Sequence, residues 1–278
     1  MIDSTEGLRR SRLARASVLA LAVLAAVLVL TVAGAVASSD AVPPPPANPT
    51  SADQIQNIDQ VKTAIKAYYG DTVTSTPDPV AGTTMLHTYS PTSAYVSEMS
   101  QIEGIATKYI DLHAFRGNGG RQAVVFDVDD TTLNTYSYEI YSNFVYNPTT
   151  NATFVNAEVF PPVPGMPAVA SDAAKHGYAV FFVTGRPESQ RAATADNLAK
   201  DGYAKPDTDH LYLKDQTKPW LSSCAPSCTT TQYKSLTRQH IESLGYDIVA
   251  NFGDQYSDLN GGFADQTYKL PNPMYYLP

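Results

Sequence analysis

The chain has 278 residues, a formal net charge of −8, 43% hydrophobic residues and 17% charged residues. This balance excludes an intrinsically disordered chain, and the length suits one large domain or two small ones. The excess of acids argues against nucleic acid or an anionic membrane as partner, because such a surface repels phosphate backbones and headgroups.

At the N-terminal end, Arg9, Arg10, Arg12 and Arg15 form a basic region. Residues 18 to 32 are almost wholly apolar, and Ala35-Val36-Ala37 is a small-residue cleavage site. Residues 1–37 therefore read as a secretory signal, which predicts a secreted, extracellular protein. The competing reading is an uncleaved membrane anchor, since the apolar stretch is near the lower length for spanning. No cysteine lies near the site, which excludes a lipoprotein anchor. Cleavage removes four arginines and two acids, so the 15 basic and 25 acidic residues left net −10. A phosphate site in such a chain needs local cations.

Residues 38–51 contain Pro43-Pro44-Pro45-Pro46 and read as a stiff, extended linker. Ile55, Ile58, Val61, Ile65 and Tyr68 fall at helical spacing and predict a helix from 52 to 69, stopped at Gly70. Residues 71–90, rich in Thr, Pro and Gly, read as loop. A second amphipathic helix is expected from 92 to 113, then a turn at Arg116-Gly117-Asn118-Gly119-Gly120. The 20 prolines and 18 tyrosines suggest loop-rich segments and a surface with aromatic faces.

From there strands alternate with helices. Strands are expected at 123–127, 179–184, 210–213 and 248–252, and helices near 167–176, 188–201 and 232–244. The alternation predicts an α/β fold, a doubly wound parallel sheet with helices on both faces, preceded by N-terminal helices. One domain then covers 52–278. Residues 134–165, rich in Tyr, Asn and Pro, fit the alternation less well and are expected to form a small cap or flap. Cys224 and Cys228 are the only cysteines. In an exported chain they favour a disulfide that clips a small loop. A zinc site would need more ligands.

Four segments converge on one edge of such a sheet. In the first, the apolar run Ala123-Val124-Val125-Phe126 leads into Asp127-Val128-Asp129-Asp130-Thr131. Acids at the carboxyl end of a buried strand lie where α/β folds bind ligands, and charge there is costly unless something binds it. The second is Phe182-Val183-Thr184-Gly185-Arg186. The third is Tyr233-Lys234-Ser235, at a helix start. The fourth is Asn251-Phe252-Gly253-Asp254-Gln255-Tyr256-Ser257-Asp258. Taken singly, each has a bland explanation. Thr-Gly-Arg is a common strand-to-helix turn, Gly-Asp is a common turn, and an isolated lysine is usually a surface residue. Asp130 reads as a cap or turn residue. An EF-hand fails, because it needs Gly and Glu where the chain has Thr132 and Tyr138. The five histidines show no ligand spacing, and no Arg-His-Gly motif is present. The specific signal is the order: acids, a hydroxyl, a lysine, acids.

That order, with Phe126-Asp127-Val128-Asp129-Asp130-Thr131, Tyr233-Lys234-Ser235, the Asn251–Leu259 segment and the closing Lys269-Leu270-Pro271-Asn272-Pro273-Met274-Tyr275-Tyr276, resembles the haloacid dehalogenase (HAD) superfamily of phosphohydrolases. Within it the chain is similar to the secreted acid phosphatases of class B, class C and the plant vegetative-storage type, over roughly residues 91–278. One departure is Asp130, where many class C members carry Glu.

The resemblance implies a HAD-like, Rossmann-type fold and an exported acid phosphatase acting on small phosphate monoesters, nucleotides among them. Asp127 is then the nucleophile that forms an aspartyl-phosphate, and Asp129 the general acid and base. Mg²⁺ is held by Asp127, Asp254 and the Asp129 backbone carbonyl. Thr184 and N–H groups of the loop after Asp127 bind phosphoryl oxygens, and Lys234 neutralises charge, preferred over Lys214 and Lys218. Asp258 orients Lys234 or a water at the metal. Arg186 and Asn134 either shape the pocket or are structural. Tyr136, Tyr138, Tyr141 and Tyr146 either stack on an aromatic leaving group or pack in the core. No nucleic-acid partner and no stable membrane association are expected once the signal is cleaved. The alternatives are a phosphotransferase on the same fold and a weakly catalytic storage or binding protein.

Overall fold

Five parallel strands run side by side in the order β5-β4-β3-β6-β7. They are β3 (Arg121–Phe126), β4 (Ala179–Pro187), β5 (Leu211–Lys214), β6 (Tyr246–Gly253) and β7 (Gln266–Lys269). The computed structural model describes residues 50–51, 57–114 and 121–277. The expected signal at 1–37, the linker up to residue 49, the start of the first expected helix at 52–56 and the Arg116–Gly120 turn lie outside them.

The period-2 alternation of the central strand builds both layers. Val124 and Phe126 enter the larger core, while Ala123 and Val125 enter a smaller core on the opposite face. Four helices cover the first face: α1 (Ile58–Tyr69), α2 (Ala94–Ala114), α5 (Met166–Lys175) and α6 (Arg191–Lys200). They contribute Tyr69, Met99, Val169 and Leu198 to the larger core. The other face is covered by α7 (Thr230–Ser243) through Tyr233 and Ile241. This is the doubly wound parallel α/β sheet expected. From β3 the chain proceeds through β4 to β5 at one edge, then returns to lay β6 and β7 on the other side. The order of strands reverses between β3 and β6, and in such sheets the crevice at the strands' carboxyl ends there is the ligand site.

Three expectations need correction. Residues 71–90 are not all loop: β1 (Thr72–Pro77) and β2 (Met85–Thr88) form an antiparallel hairpin, pairing Thr72 with Thr88 and Val73 with His87. The β-branched residues there were masked by Pro77, Pro79 and Gly82. The turn is organised by Asp78, whose carboxylate accepts from the N–H groups of Val80, Ala81, Thr83 and Thr84 at 2.8–3.0 Å. The short edge strand β7 was not foreseen, because only Tyr268 within it is buried and it shows no alternation. The tyrosines divide between core and surface: Tyr69, Tyr95, Tyr136 and Tyr138 are at most 1% exposed, whereas Tyr146, Tyr256 and Tyr276 are 60–73% exposed. Tyr69 stacks on Tyr136 at 4.5 Å and packs against Tyr95 at the same distance.

Residues 134–165 contain α3 (Tyr136–Tyr141) and α4 (Pro148–Asn156). Tyr138, Phe154, Phe160 and Val163 anchor this insert in the larger core. The Cys224–Cys228 disulfide is formed, within a loop that also contains a cis Ala225–Pro226 peptide. The last helix, α8 (Tyr256–Leu259), is a single turn following β6. Among the described residues no helix is long and apolar enough to cross a membrane.

Candidate active site

The ladder between β3 and β6 continues one residue past β3: the Asp127 N–H donates to the Phe252 carbonyl at 3.0 Å. Asp127 is thus placed by the sheet itself, beside the end of β6, from which Asp254 emerges. Gly253 lets the next loop close on this point. A Cβ at Gly253 would lie 2.4 Å from the Asp258 Cβ, so only glycine admits Asp258 there. Oxygens of Asp127, Asp254 and Asp258 come within 4.8 Å of one another, on side chains of residues 7%, 2% and 5% exposed.

Lys234 reaches this cluster from α7. The helix starts at a capping box, in which Thr229 accepts from the Gln232 N–H at 3.2 Å and the Gln232 side chain accepts from the Thr229 N–H at 2.9 Å. The disulfide loop lies just before that cap. Lys234 is 2% exposed. Its Nζ donates to Asp127 Oδ1 and to the Val183 carbonyl, and lies 3.1 Å from Asp258 Oδ1. Lys218, one of the competing lysines, instead pairs with Asp215 at 3.4 Å.

Three buried carboxylates sharing one ammonium leave an excess of negative charge. Burial pushes Asp127 strongly upward; Lys234 opposes it, and Asp258, Asp254 and Asp129 add to the rise. Asp254 is pushed up to about 8, first by burial and then by Asp258 and Asp130. Burial would lower the Lys234 ammonium, but Asp127 and Asp258 outweigh it and hold it charged. A compact, all-oxygen, over-negative donor set fits a hard divalent cation such as Mg²⁺, so the residues present match the group that the resemblance implies.

Asp129 faces the other way. Arg186 grips its carboxylate through Nε at 3.1 Å from each oxygen and Nη2 at 2.6 Å. Arg186 is 5% exposed, with Nη1 donating to Thr194 Oγ1 at 3.0 Å and Phe160 lying 5.7 Å from its guanidinium. The even choice between pocket and structural roles thus resolves differently for two residues. Arg186 sits on the acid/base candidate, whereas Asn134 is fully buried and bonds Tyr95 and its own helix start, away from the cluster.

Thr184 follows the carbonyl that Lys234 touches and is fully buried; its hydroxyl accepts from the Arg186 N–H at 3.1 Å. In the loop after Asp127, the N–H groups of Asp130, Thr131, Thr132 and Leu133 donate to the Leu133 and Val128 carbonyls, so those four of the expected phosphate donors are already engaged. Asp130 does more than cap. With φ 55° and 1% exposure, it accepts from Thr135 N–H at 2.9 Å, from the Thr135 hydroxyl at 2.5 Å and from the Tyr275 hydroxyl at 2.8 Å. Of the four tyrosines considered for stacking, Tyr136 and Tyr138 are buried, Tyr141 is half-buried, and Tyr146 is 68% exposed.

Sequence reading missed the partners of Asp254: Gln255 Nε2 at 2.7 Å and Asn272 Nδ2 at 2.6 Å both donate to Oδ2. It also missed Glu139 in α3, 6% exposed and pushed up to about 7 by burial and then Asp129. Elsewhere, His176 lies 3.6 Å from both Asp111 and Asp172, tying α2 to α5 when the imidazole is protonated. The i,i+4 spacing of Asp172 and His176 was the available signal.

Residues 52–278 match the family described as HAD superfamily, subfamily IIIB (Acid phosphatase). "Acid phosphatase 1" of Solanum lycopersicum is 33% identical over 186 residues, covering 66% of this chain and 68% of that protein. "Vegetative storage protein 1" of Arabidopsis thaliana is 31% identical over 160 residues, and the chain spans 55% of its length. The class C acid phosphatase from Bacillus anthracis superposes with a TM-score of 0.56 at 20% identity, over 66% of this chain and 80% of that one. At that identity the likeness bears on the fold.

Proposed function

The chain belongs to the subfamily IIIB acid phosphatases of the HAD superfamily, and from that premise we propose that it hydrolyses small phosphate monoesters through a phosphorylated Asp127. The observation that carries this reading is Lys234 joined to Asp127 and Asp258, with Asp254 in the same cluster.

Lys234 takes Asp127 Oδ1, which leaves the second oxygen for in-line attack on phosphorus. As the bond from Asp127 to phosphorus forms, the bond to the ester oxygen breaks. Asp129 gives that oxygen a proton, so the alcohol departs neutral. In the second half Asp129 takes a proton from water, which attacks the phosphorus and frees Asp127 and inorganic phosphate. Arginine only donates hydrogen bonds, so in this structure both Asp129 oxygens accept from Arg186. Placing the proton on Asp129 requires Arg186 to give up one of those bonds. Thr184 and Lys234 serve the phosphoryl oxygens, as a hydroxyl donor and a fixed cation preorganised for the developing charge.

Asp127, Asp254 and Asp258 would hold Mg²⁺, with the Asp129 backbone carbonyl as a further donor. The ion supplies charge neutralisation for the phosphoryl group. Asp258 serves Lys234 in any case.

The leader over 1–37 and the Cys224–Cys228 disulfide support export. Residues 134–165 act as the cap, and exposed Tyr146 is the stacking surface for an aromatic leaving group such as a nucleobase. A storage role is favoured by the likeness to the Arabidopsis protein. It is weakened by the intact Asp127, Lys234 and Asp254, which a non-enzyme has no need to keep. A phosphotransferase is separated from a hydrolase by product analysis with an added nucleoside.

The test is phosphate release from a panel of monoesters, with and without EDTA. Metal-dependent turnover supports the reading, turnover insensitive to EDTA removes the cation from it, and no turnover on any ester favours storage.

A further inference from the structure

Beyond β7 the chain folds back over the site. Met274 is buried in the larger core at 7% exposure. Just before it, Asn272 divides its amide between two tasks. Oδ1 accepts from the Met274 N–H at 2.8 Å and makes the turn, so Nδ2 is left to donate to Asp254 Oδ2 at 2.6 Å. Gln255 holds the same carboxylate oxygen. Its Nε2 donates to Asp254 Oδ2 at 2.7 Å and to the Tyr275 carbonyl at 3.4 Å, while its Oε1 accepts from the Leu277 N–H at 3.0 Å. The Ser257 hydroxyl donates to the Leu277 carbonyl at 3.2 Å. Tyr275 sends its hydroxyl to Asp130 at 2.8 Å.

Two amide donors therefore occupy Asp254 Oδ2. Among the described residues Oδ1 meets just the Thr131 hydroxyl, at 3.4 Å. A carboxylate gripped by one oxygen offers the other in a fixed direction, which is how groups outside a coordination sphere tune a metal site.

We propose that residues 272–277 are a positioning strap: Asn272, with Gln255, aims Asp254 Oδ1 at a divalent cation, and Tyr275 holds the Asp130 turn that follows Asp129. This rests on the reading that Asp127, Asp254 and Asp258 hold the cation. Asn272 and Tyr275 touch neither substrate nor reacting atoms, and they act through Asp254 and Asp130.

The experiment compares the full chain with Asn272→Ala, Tyr275→Phe, Asp254→Asn and, as a control within the tail, Tyr276→Ala, whose side chain is 73% exposed. Mg²⁺ alone is titrated calorimetrically without substrate, and kcat, KM and Tm are measured in parallel. Asn272→Ala weakens Mg²⁺ binding about tenfold to a hundredfold, as expected when an outer hydrogen-bond partner is lost. Its turnover recovers at high Mg²⁺, a response that a general loss of structure does not produce. Tyr275→Phe lowers kcat with KM unchanged, and Tyr276→Ala behaves as wild type. Mg²⁺ affinity in Asn272→Ala within about twofold of wild type, well short of the tenfold to hundredfold loss expected, overturns the strap. If that variant does not fold, Gln255→Met removes the other amide donor, with the same expectation and the same overturning result. A wild-type protein that binds no Mg²⁺ overturns the cation reading and the strap together. Binding that disappears in Asp254→Asn but persists in Asn272→Ala overturns the strap alone.

Discussion

Arg186 holds Asp129 by both carboxylate oxygens, with Nη2 as near as 2.6 Å. The residue proposed to shuttle the proton is thus oriented by a side chain that is itself almost wholly buried. Arg186→Ala should lower kcat by about 10²-fold, the lower end of what general acid–base catalysis contributes, with a smaller effect on KM. Arg186→Lys should not restore it, since an ammonium cannot make the two-pronged grip. Steady-state kinetics on p-nitrophenyl phosphate decides this, and an unchanged kcat would show that Asp129 needs no such guide.

Asp127→Asn should reduce hydrolysis by roughly 10³-fold or more while the fold survives, because the nucleophile is lost and the β3–β6 ladder is not. Circular dichroism establishes the folded state. Full activity in this variant would sink the phospho-aspartate mechanism.

Much of this site could be read from the chain, for a physical reason. Asp127 and Asp254 lie just past strand ends, and Thr184 lies where the apolar run of β4 stops; apolar runs that stop at polar residues are visible in a sequence. Lys234 is legible through the resemblance alone, by its Tyr233-Lys234-Ser235 context and its place 20 residues before Asp254. The Asp129–Arg186 grip was not legible, because 57 residues separate the partners and only the packing of β3 beside β4 joins them. Asn272 belongs to the closing Lys269–Tyr276 motif, yet nothing local says that its amide faces Asp254. The hairpin at 72–88 was obscured by its turn-forming residues, and the tyrosines misled because a phenol ring packs as readily as it stacks in the open.

Magnesium should stabilise the protein as well as activate it. Three buried acids around Lys234 repel one another, and a cation that binds only the folded form raises stability by about 2.7 kcal/mol at a hundredfold excess over Kd. Differential scanning calorimetry should show Tm rising with Mg²⁺ and falling with EDTA. Lys234→Met should cost about 3–5 kcal/mol, the penalty for leaving buried charges unpaired, and added Mg²⁺ should recover part of it. A Tm indifferent to Mg²⁺ in both proteins would contradict the cation site.

Glu139 predicts a pH dependence away from the metal carboxylates. Its carboxyl rises from 4.5 to about 7 on folding, through burial first and Asp129 second. The folded form therefore holds the proton more tightly than the unfolded chain. The associated stability is present below pH 4.5 and is lost as pH climbs through about 7. The full effect is at most about 3 kcal/mol. Glu139→Gln, which cannot ionise, should flatten the fall in Tm between these limits. Equal slopes in the two proteins would rule Glu139 out as its source.

Tyr146 should matter for aromatic esters and not for others. Tyr146→Ala should raise KM for nucleoside monophosphates by an amount equivalent to about 1–3 kcal/mol of stacking, and leave KM for glycerol phosphate unchanged. Equal effects on both substrates would deny it a part in selecting the leaving group.

The cap of α7 also decides where the chain tolerates changes in length. The helix begins its count at Thr229, and Lys234 lies a little over one turn further on. Residues added to or removed from the disulfide loop are absorbed before that count begins, so the lysine keeps its bearing on Asp127. A single residue inserted between Thr229 and Lys234 would swing the side chain by about 100° and bring a neighbour round in its place. Insertions on the two sides of one threonine should therefore have opposite fates: variation in one, silence of the enzyme in the other.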